Sequence, residues 1–190
     1  MKKLCLALTV IYSALSLAGC SSKQQGQSGN ATGADSSKQS YINTITAIEA
    51  KMKTLTTLDN YNANLAITAY TRFDEKFPDD TLAPVFMFKA ANMAMSSGQY
   101  PRALGIYDNI CAKYSSFRQV PDCIFVEGFI YDSYLKDTAK AHAKYTEVIN
   151  KFPNNSLAPQ AQAAISALGK SNEELMKEFE EKNKKAGKKV

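Results

Sequence analysis

The feature that most constrains this chain is a ten-residue segment that occurs twice. EKFPDDTLAP at 75–84 returns as NKFPNNSLAP at 150–159, 75 positions later. A degenerate copy lies midway, Lys113, Tyr114 and Ser115 followed by Pro121, so Pro84, Pro121 and Pro159 mark units of 37 and 38 residues. A period of this size is the mark of stacked structural units, each unable to bury its apolar face alone. The segment itself has a physical reading. A helix ends at Phe-Pro, the Asp or Asn pair turns the chain and caps, and the second Pro occupies the first turn of the next helix.

Between the markers each unit reads as two helices. Ala91 and Ala94 place small residues on the first, Gly98-Gln-Tyr100 turns the chain, and Ala103, Tyr107 and Ile110 recur at helical spacing. The third unit matches with Gly128, Tyr131, Ala141, Tyr145 and Val148, and has one extra residue in its inner turn. The first supplies Ala66, Tyr70 and Phe73, after a helix carrying Ile45, Ile48, Met52 and Leu55. Helices are expected near 41–58, 62–77, 83–97, 100–115, 121–135, 138–151 and 157–168. A last one follows Ser171, whose Glu174 completes a capping box, and runs to about 185 with Leu175, Met176 and Phe179 as an amphipathic cap. No segment reads as a strand. The expected class is all-α.

The pattern over residues 45–169 resembles the tetratricopeptide repeat, most closely at Gly98, Tyr100, Ala103, Tyr107 and Ile110. The units run longer than that family's usual length, and Met87 and Ile124 stand where it places an aromatic. The resemblance implies a right-handed superhelix of about three helix pairs plus the capping C-terminal helix. It also implies that the first helix of each pair lines a concave groove. Aligned on the prolines, Val85, Phe88, Asn92 and Met95 face it from the second unit, and Asp122, Phe125, Phe129 and Asp132 from the third. Units with Lys-Phe-Pro ends are similar to those of bacterial envelope proteins, distantly the β-barrel-assembly lipoprotein and the Tol-Pal-associated division coordinator. LGKSNEEL at 168–175 resembles short tetratricopeptide lipoproteins of the Bacteroidetes.

The N-terminus agrees with such an address. Lys2 and Lys3 form a charged start, and residues 4–17 are a nearly continuous apolar run, the length of a signal segment and short for a membrane span. The run ends in Leu17-Ala-Gly-Cys20, which resembles the bacterial lipobox. That resemblance implies cleavage after residue 19 and lipid on Cys20, with more than one acyl chain because a single chain anchors only marginally. Ser21 in place of Asp implies the outer membrane, and the lack of an acidic cluster at Ser22-Lys-Gln-Gln25 implies that the domain faces the periplasm. Residues 21–40 carry almost no apolar side chain larger than Ala, so 20–40 reads as lipidated Cys and flexible tether, 41–185 as the helical domain and 186–190 as a basic tail.

Without residues 1–19 the formal charge falls from +5 to about +3, and five of the remaining lysines lie at 182–189. The body, near −2, argues against a nucleic-acid-binding face. The lysine-rich end reads as a solvated helix terminus, with anionic lipid as the alternative. His142 is the only histidine, which excludes His-pair metal sites, and it falls on a predicted outer face. No phosphate-binding loop and no Gly-x-Ser-x-Gly elbow occurs. Neither an enzyme, nor a cofactor, nor a metal site is expected.

Two features stay open at the level of sequence. The strip from Val85 to Asp132 is either a peptide-binding groove, with Phe and Met giving area and Asn and Asp giving register, or is covered by the chain's own end helices. Cys111 and Cys123 flank the turn at Phe117 six residues to each side, which brings them level on antiparallel helices as a disulfide or as two free thiols. The expected function is protein or peptide binding by a membrane-anchored envelope scaffold. The alternatives are a module binding a peptidoglycan or polysaccharide fragment through its tyrosines, and a homo-oligomer formed through the stripe at 45–55.

Overall fold

The computed structural model describes residues 31–187, with the side chains of 31–35, 172, 179 and 185–187 excepted; the leader, Cys20 and the first half of the tether lie outside it. Eight helices follow one another: α1 (Ala31–Lys53), α2 (Asn60–Lys76), α3 (Ala83–Ser96), α4 (Tyr100–Lys113), α5 (Val120–Ser133), α6 (Thr138–Lys151), α7 (Leu157–Ala167) and α8 (Asn172–Gly187). No strand occurs among the described residues. From α1 to α7 each helix packs on the next, and α7 also touches α5. The chain is therefore all-α, with neighbouring helices packed in pairs.

The repeated marker produces a repeated turn. Phe77, Tyr114 and Phe152 end α2, α4 and α6 with nearly the same backbone, φ −133, −122 and −132° with ψ 58, 51 and 53°. Each is followed by the same carbonyl contacts: Asp80 N–H donates to Phe77 O at 3.0 Å, Phe117 N–H to Tyr114 O at 2.8 Å, and Asn155 N–H to Phe152 O at 2.9 Å. The Asp/Asn pair acts inside this turn and not as a helix cap. Asp80 Oδ1 accepts from Leu82 N–H at 2.8 Å and Asn155 Oδ1 from Leu157 N–H at 2.9 Å, while α3 and α7 begin without a side-chain cap. A side chain that bonds the backbone two residues on fixes an Asx turn. The prolines then open α3 and α5.

Alanine marks the helix crossings. Ala63, Ala66, Ala90, Ala91, Ala94, Ala103, Ala141 and Ala161 are fully buried. Larger side chains fill the space around them in two clusters, one built on Phe73, Tyr107 and Ile110 and the other on Tyr145 and Val148. Cys111, Phe117 and Tyr131 belong to both, so the core is continuous along the array.

The two ends depart from expectation. α1 begins at Ala31, ten residues inside the stretch expected as tether, and stops at Lys53, short of 58. Docking explains the extension. Ile45 is buried, the Tyr41 ring meets Phe77 edge-on at 5.6 Å, and Lys38 Nζ donates to Asp80 at 3.1 Å. Once that face is held, the polar residues before it propagate the helix at little further entropic penalty. The stripe of Ile45, Ile48 and Met52 packs on the chain's own core, so it does not stand free as a coiled-coil face. At the other end the capping box forms as expected: Ser171 N–H donates to Glu174 at 2.7 Å and Glu174 N–H to Ser171 Oγ at 3.2 Å. Among the described side chains, the helix it starts contributes none to either core cluster. Among the described residues α8 makes no extensive contact with another helix, and Met176 is 60% exposed. Charged residues occupy too much of α8 to leave a broad apolar face.

Candidate functional site

The eight side chains expected in the groove lie on α3 and α5, and none is fully buried. The structure divides them into three settings. Phe88 and Asn92 gather around Tyr107, whose hydroxyl donates to Asn92 Oδ1 at 2.6 Å while its ring meets Phe88 at 6.2 Å. Phe117 also lies 6.2 Å from Phe88 and covers part of it. Phe125 and Asp132 gather around Tyr145, the ring of Phe125 at 5.3 Å, and burial with the nearby Asp132 charge pushes the Tyr145 phenol up to about 12. Val85 and Asp122 are half-buried with no side-chain partner drawn from the strip, and Met95 packs against the first core cluster. Phe129 alone is open, at 39%.

A common device underlies the first two settings. The second helix of each pair presents a tyrosine, Tyr70, Tyr107 and Tyr145, toward polar groups on a preceding helix. Tyr70 donates to Glu49 Oε1 at 2.9 Å, matching Tyr107 on Asn92. Much of the polar capacity expected for a ligand therefore serves to tie the helices together. At Tyr145 the approach is tight enough to require glycine, since a Cβ on Gly128 would stand 2.8 Å from Cε1 and 2.9 Å from Cδ1 of the ring.

The open apolar surface lies along the turns between paired helices. Tyr100, at the start of α4, stacks on Tyr134, just after α5, with centroids 4.2 Å apart and planes at 19°. Phe129 meets Tyr134 edge-on at 5.7 Å. Tyr134 is 48% and Leu135 is 41% exposed, and Leu58 and Tyr61 are exposed at the corresponding turn before α2. Tyr134 and Leu135 escaped the sequence reading because they follow the helix that supplied the groove residues; the extra residue in this turn was the available signal.

No protein-family model matches the chain, and no curated protein matches it.

One cluster was not anticipated. Glu127, fully buried on α5, accepts from Lys144 Nζ of α6 at 2.7 Å, and the same ammonium reaches Asp108 of α4 at 3.0 Å. Glu127 Oε1 receives no hydrogen bond. Burial pushes the Glu127 carboxyl up, to about 8, against the pull of Lys144; Asp108, able to accept from the protonated acid, helps to hold the proton. Beside this group lie Cys111 and Cys123. Both are free thiols, so of the two arrangements left open the structure holds the unbonded one. The signal in the sequence was a carboxylate, Glu127, one helical turn after Cys123 on the buried face of α5. Among the described residues no group of three His, Cys, Asp or Glu side chains is placed to hold a metal ion. His142 is exposed, with Thr146 as its neighbour.

Proposed function

We propose that this chain is a lipid-anchored envelope scaffold, held through Cys20, whose tetratricopeptide-like array binds a segment of a partner protein. The observation that carries the reading is the exposed apolar edge of Phe129, Tyr134 and Leu135, flanked by the half-buried Tyr100. The rings of Tyr100, Phe129 and Tyr134 pack on one another, with Tyr100 also reaching the first core cluster, and aromatic residues with an apolar body and a polar rim are typical anchors for a protein partner. The helix pairs, the 37- and 38-residue spacing and the alanine crossings favour the superhelical family over other all-α arrangements. Because Phe88 and Phe125 are partly covered by the chain's own aromatics, the contact centres on Phe129 and not on the whole strip. It extends outward to Tyr134.

The test is a Phe129→Ala, Tyr134→Ala variant in a crosslinking pull-down from intact cells. The expected result is loss of the captured partner, each anchor contributing about 2 kcal/mol if it lies at the centre of the contact. Thermal melting should stay close to the parent, since neither ring is core. Retention of the partner overturns the reading. Loss of binding to a glycan fragment, with protein capture unchanged, favours a peptidoglycan or polysaccharide ligand instead.

A further inference from the structure

Cys111 of α4 and Cys123 of α5 come from adjacent, packed helices; Cys123 belongs to the first core cluster, and Cys111 packs against that cluster and the second. They differ in access: Cys111 is half-buried, whereas Cys123 is fully buried. One helical turn after Cys123, on the same face of α5, stands the fully buried Glu127 with an oxygen that accepts no hydrogen bond. A buried carboxyl group that keeps its proton to about pH 8 and has an oxygen without a donor is poised to exchange that proton locally. Lys144, bridging Glu127 and Asp108, sets a positive charge beside the pair.

We propose that Cys111 and Cys123 form a thiol–disulfide exchange site for small disulfides, in which Cys111 attacks, Cys123 resolves, and Glu127 takes the proton from Cys123. The inference is independent of partner binding. The Cys111 thiolate attacks one sulfur of a disulfide R–S–S–R; that S–S bond breaks, a Cys111–S–S–R bond forms, and the departing thiolate takes up the proton that Cys111 released. Cys123 then gives its proton to Glu127 and attacks the Cys111 sulfur, breaking the Cys111–S–S–R bond and expelling the second thiolate, which takes up the proton from Glu127. The protein dithiol loses two electrons and R–S–S–R becomes two thiols. The local field suits these roles. The Cys123 thiol donating toward it and the Lys144 charge hold Cys111 below the usual thiol range, while burial acts against them. The same contact, with burial, pushes Cys123 up, so it needs a base to react. A low-lying accessible thiol next to a resolving one is the arrangement of thiol redox sites.

The experiment uses the full chain carrying Cys5→Ser and Cys20→Ser, so that only Cys111 and Cys123 remain of the four cysteines, with glutathione disulfide as the probe. Intact mass and alkylation counting follow the products. The parent is expected to close to an internal disulfide. Cys123→Ser should stop at a glutathione adduct on Cys111, and Cys111→Ser should react about tenfold more slowly or worse. Absence of the internal disulfide, or equal reactivity of the two single-thiol variants, overturns the proposal. The role of Glu127 is read from the closing step, whose rate in the parent should rise with pH around 8. Asp108 and Tyr107 of α4, Lys144 of α6 and Cys123 itself also face this group, and α7 contributes no titratable side chain. Glu127→Gln should slow closing by about tenfold or more near neutral pH while sparing the first step. An unchanged rate in that variant, or a parent profile flat across pH 7–9, removes Glu127 from the site.

Discussion

Replacing Gly128 by alanine puts a methyl group where the Tyr145 ring already stands. The new Cβ would lie 2.8, 2.9 and 3.2 Å from Cε1, Cδ1 and Cζ, against an ordinary contact of 3.4 Å or more. Three atoms of one ring edge are involved, and the ring cannot swing clear because Phe125 lies 5.3 Å from it and the residue is buried. Overpacking of this kind costs about 1–3 kcal/mol. Alanine also favours a helix interior over glycine by about 0.8–1 kcal/mol, which partly hides the clash. Gly105 supplies the control, since it sits inside α4, exposed, with nothing within 4 Å of a built Cβ. The propensity gain is common to both positions, so the difference between Gly105→Ala and Gly128→Ala isolates the clash. At about 2–4 °C per kcal/mol for a chain of this size, the two variants should separate by roughly 2–12 °C in melting followed by circular dichroism. Gly105→Ala should lie above the parent. Melting of Gly128→Ala at or above Gly105→Ala would refute the close approach of α5 and α6 on which this reasoning depends.

Other expectations are independent of that one. Glu127 holds its proton up to about 8 in the fold but has an ordinary carboxyl pKa near 4.5 when unfolded, so the folded state binds the extra proton between these values and stability falls as pH climbs from about 5 to 8. At about 1.4 kcal/mol per unit the shift sets an upper bound of roughly 5 kcal/mol, and melting at pH 5.5 and 8.5 should show the slope in the parent and lose it in Glu127→Gln. Tyr107→Phe removes the donor to Asn92 and should destabilise the chain by about 1 kcal/mol in urea unfolding; no change would mean that Asn92 finds water instead. Cys20→Ser should move the protein from the membrane to the soluble fraction, and unchanged fractionation would contradict the lipid anchor.

How much was legible in the sequence follows from the range of the interactions involved. Phe-Pro stops, Asx turns and a capping box act over three or four residues, so helices α2 to α8 begin and end within about two residues of where spacing places them. The Pro84, Pro121 and Pro159 period told the number of units for the same reason. α1 was misjudged because Ser, Gln and Lys have no strong preference of their own; contact with Phe77 and Asp80, distant in the chain, decided that they are helical. The fate of the strip was likewise tertiary. Spacing puts Phe88, Phe125 and Phe129 on first helices, but only the packing of Phe117 and Tyr145 covers the first two and leaves the third open. The same holds for Glu127, Lys144 and the cysteine pair. Asp108, Cys111, Cys123, Glu127 and Lys144 lie on three helices, and no local rule couples them. Burial where those helices meet turns ordinary surface residue types into a charged cluster beside two thiols, since removal of water, and not residue identity, sets the protonation of Glu127.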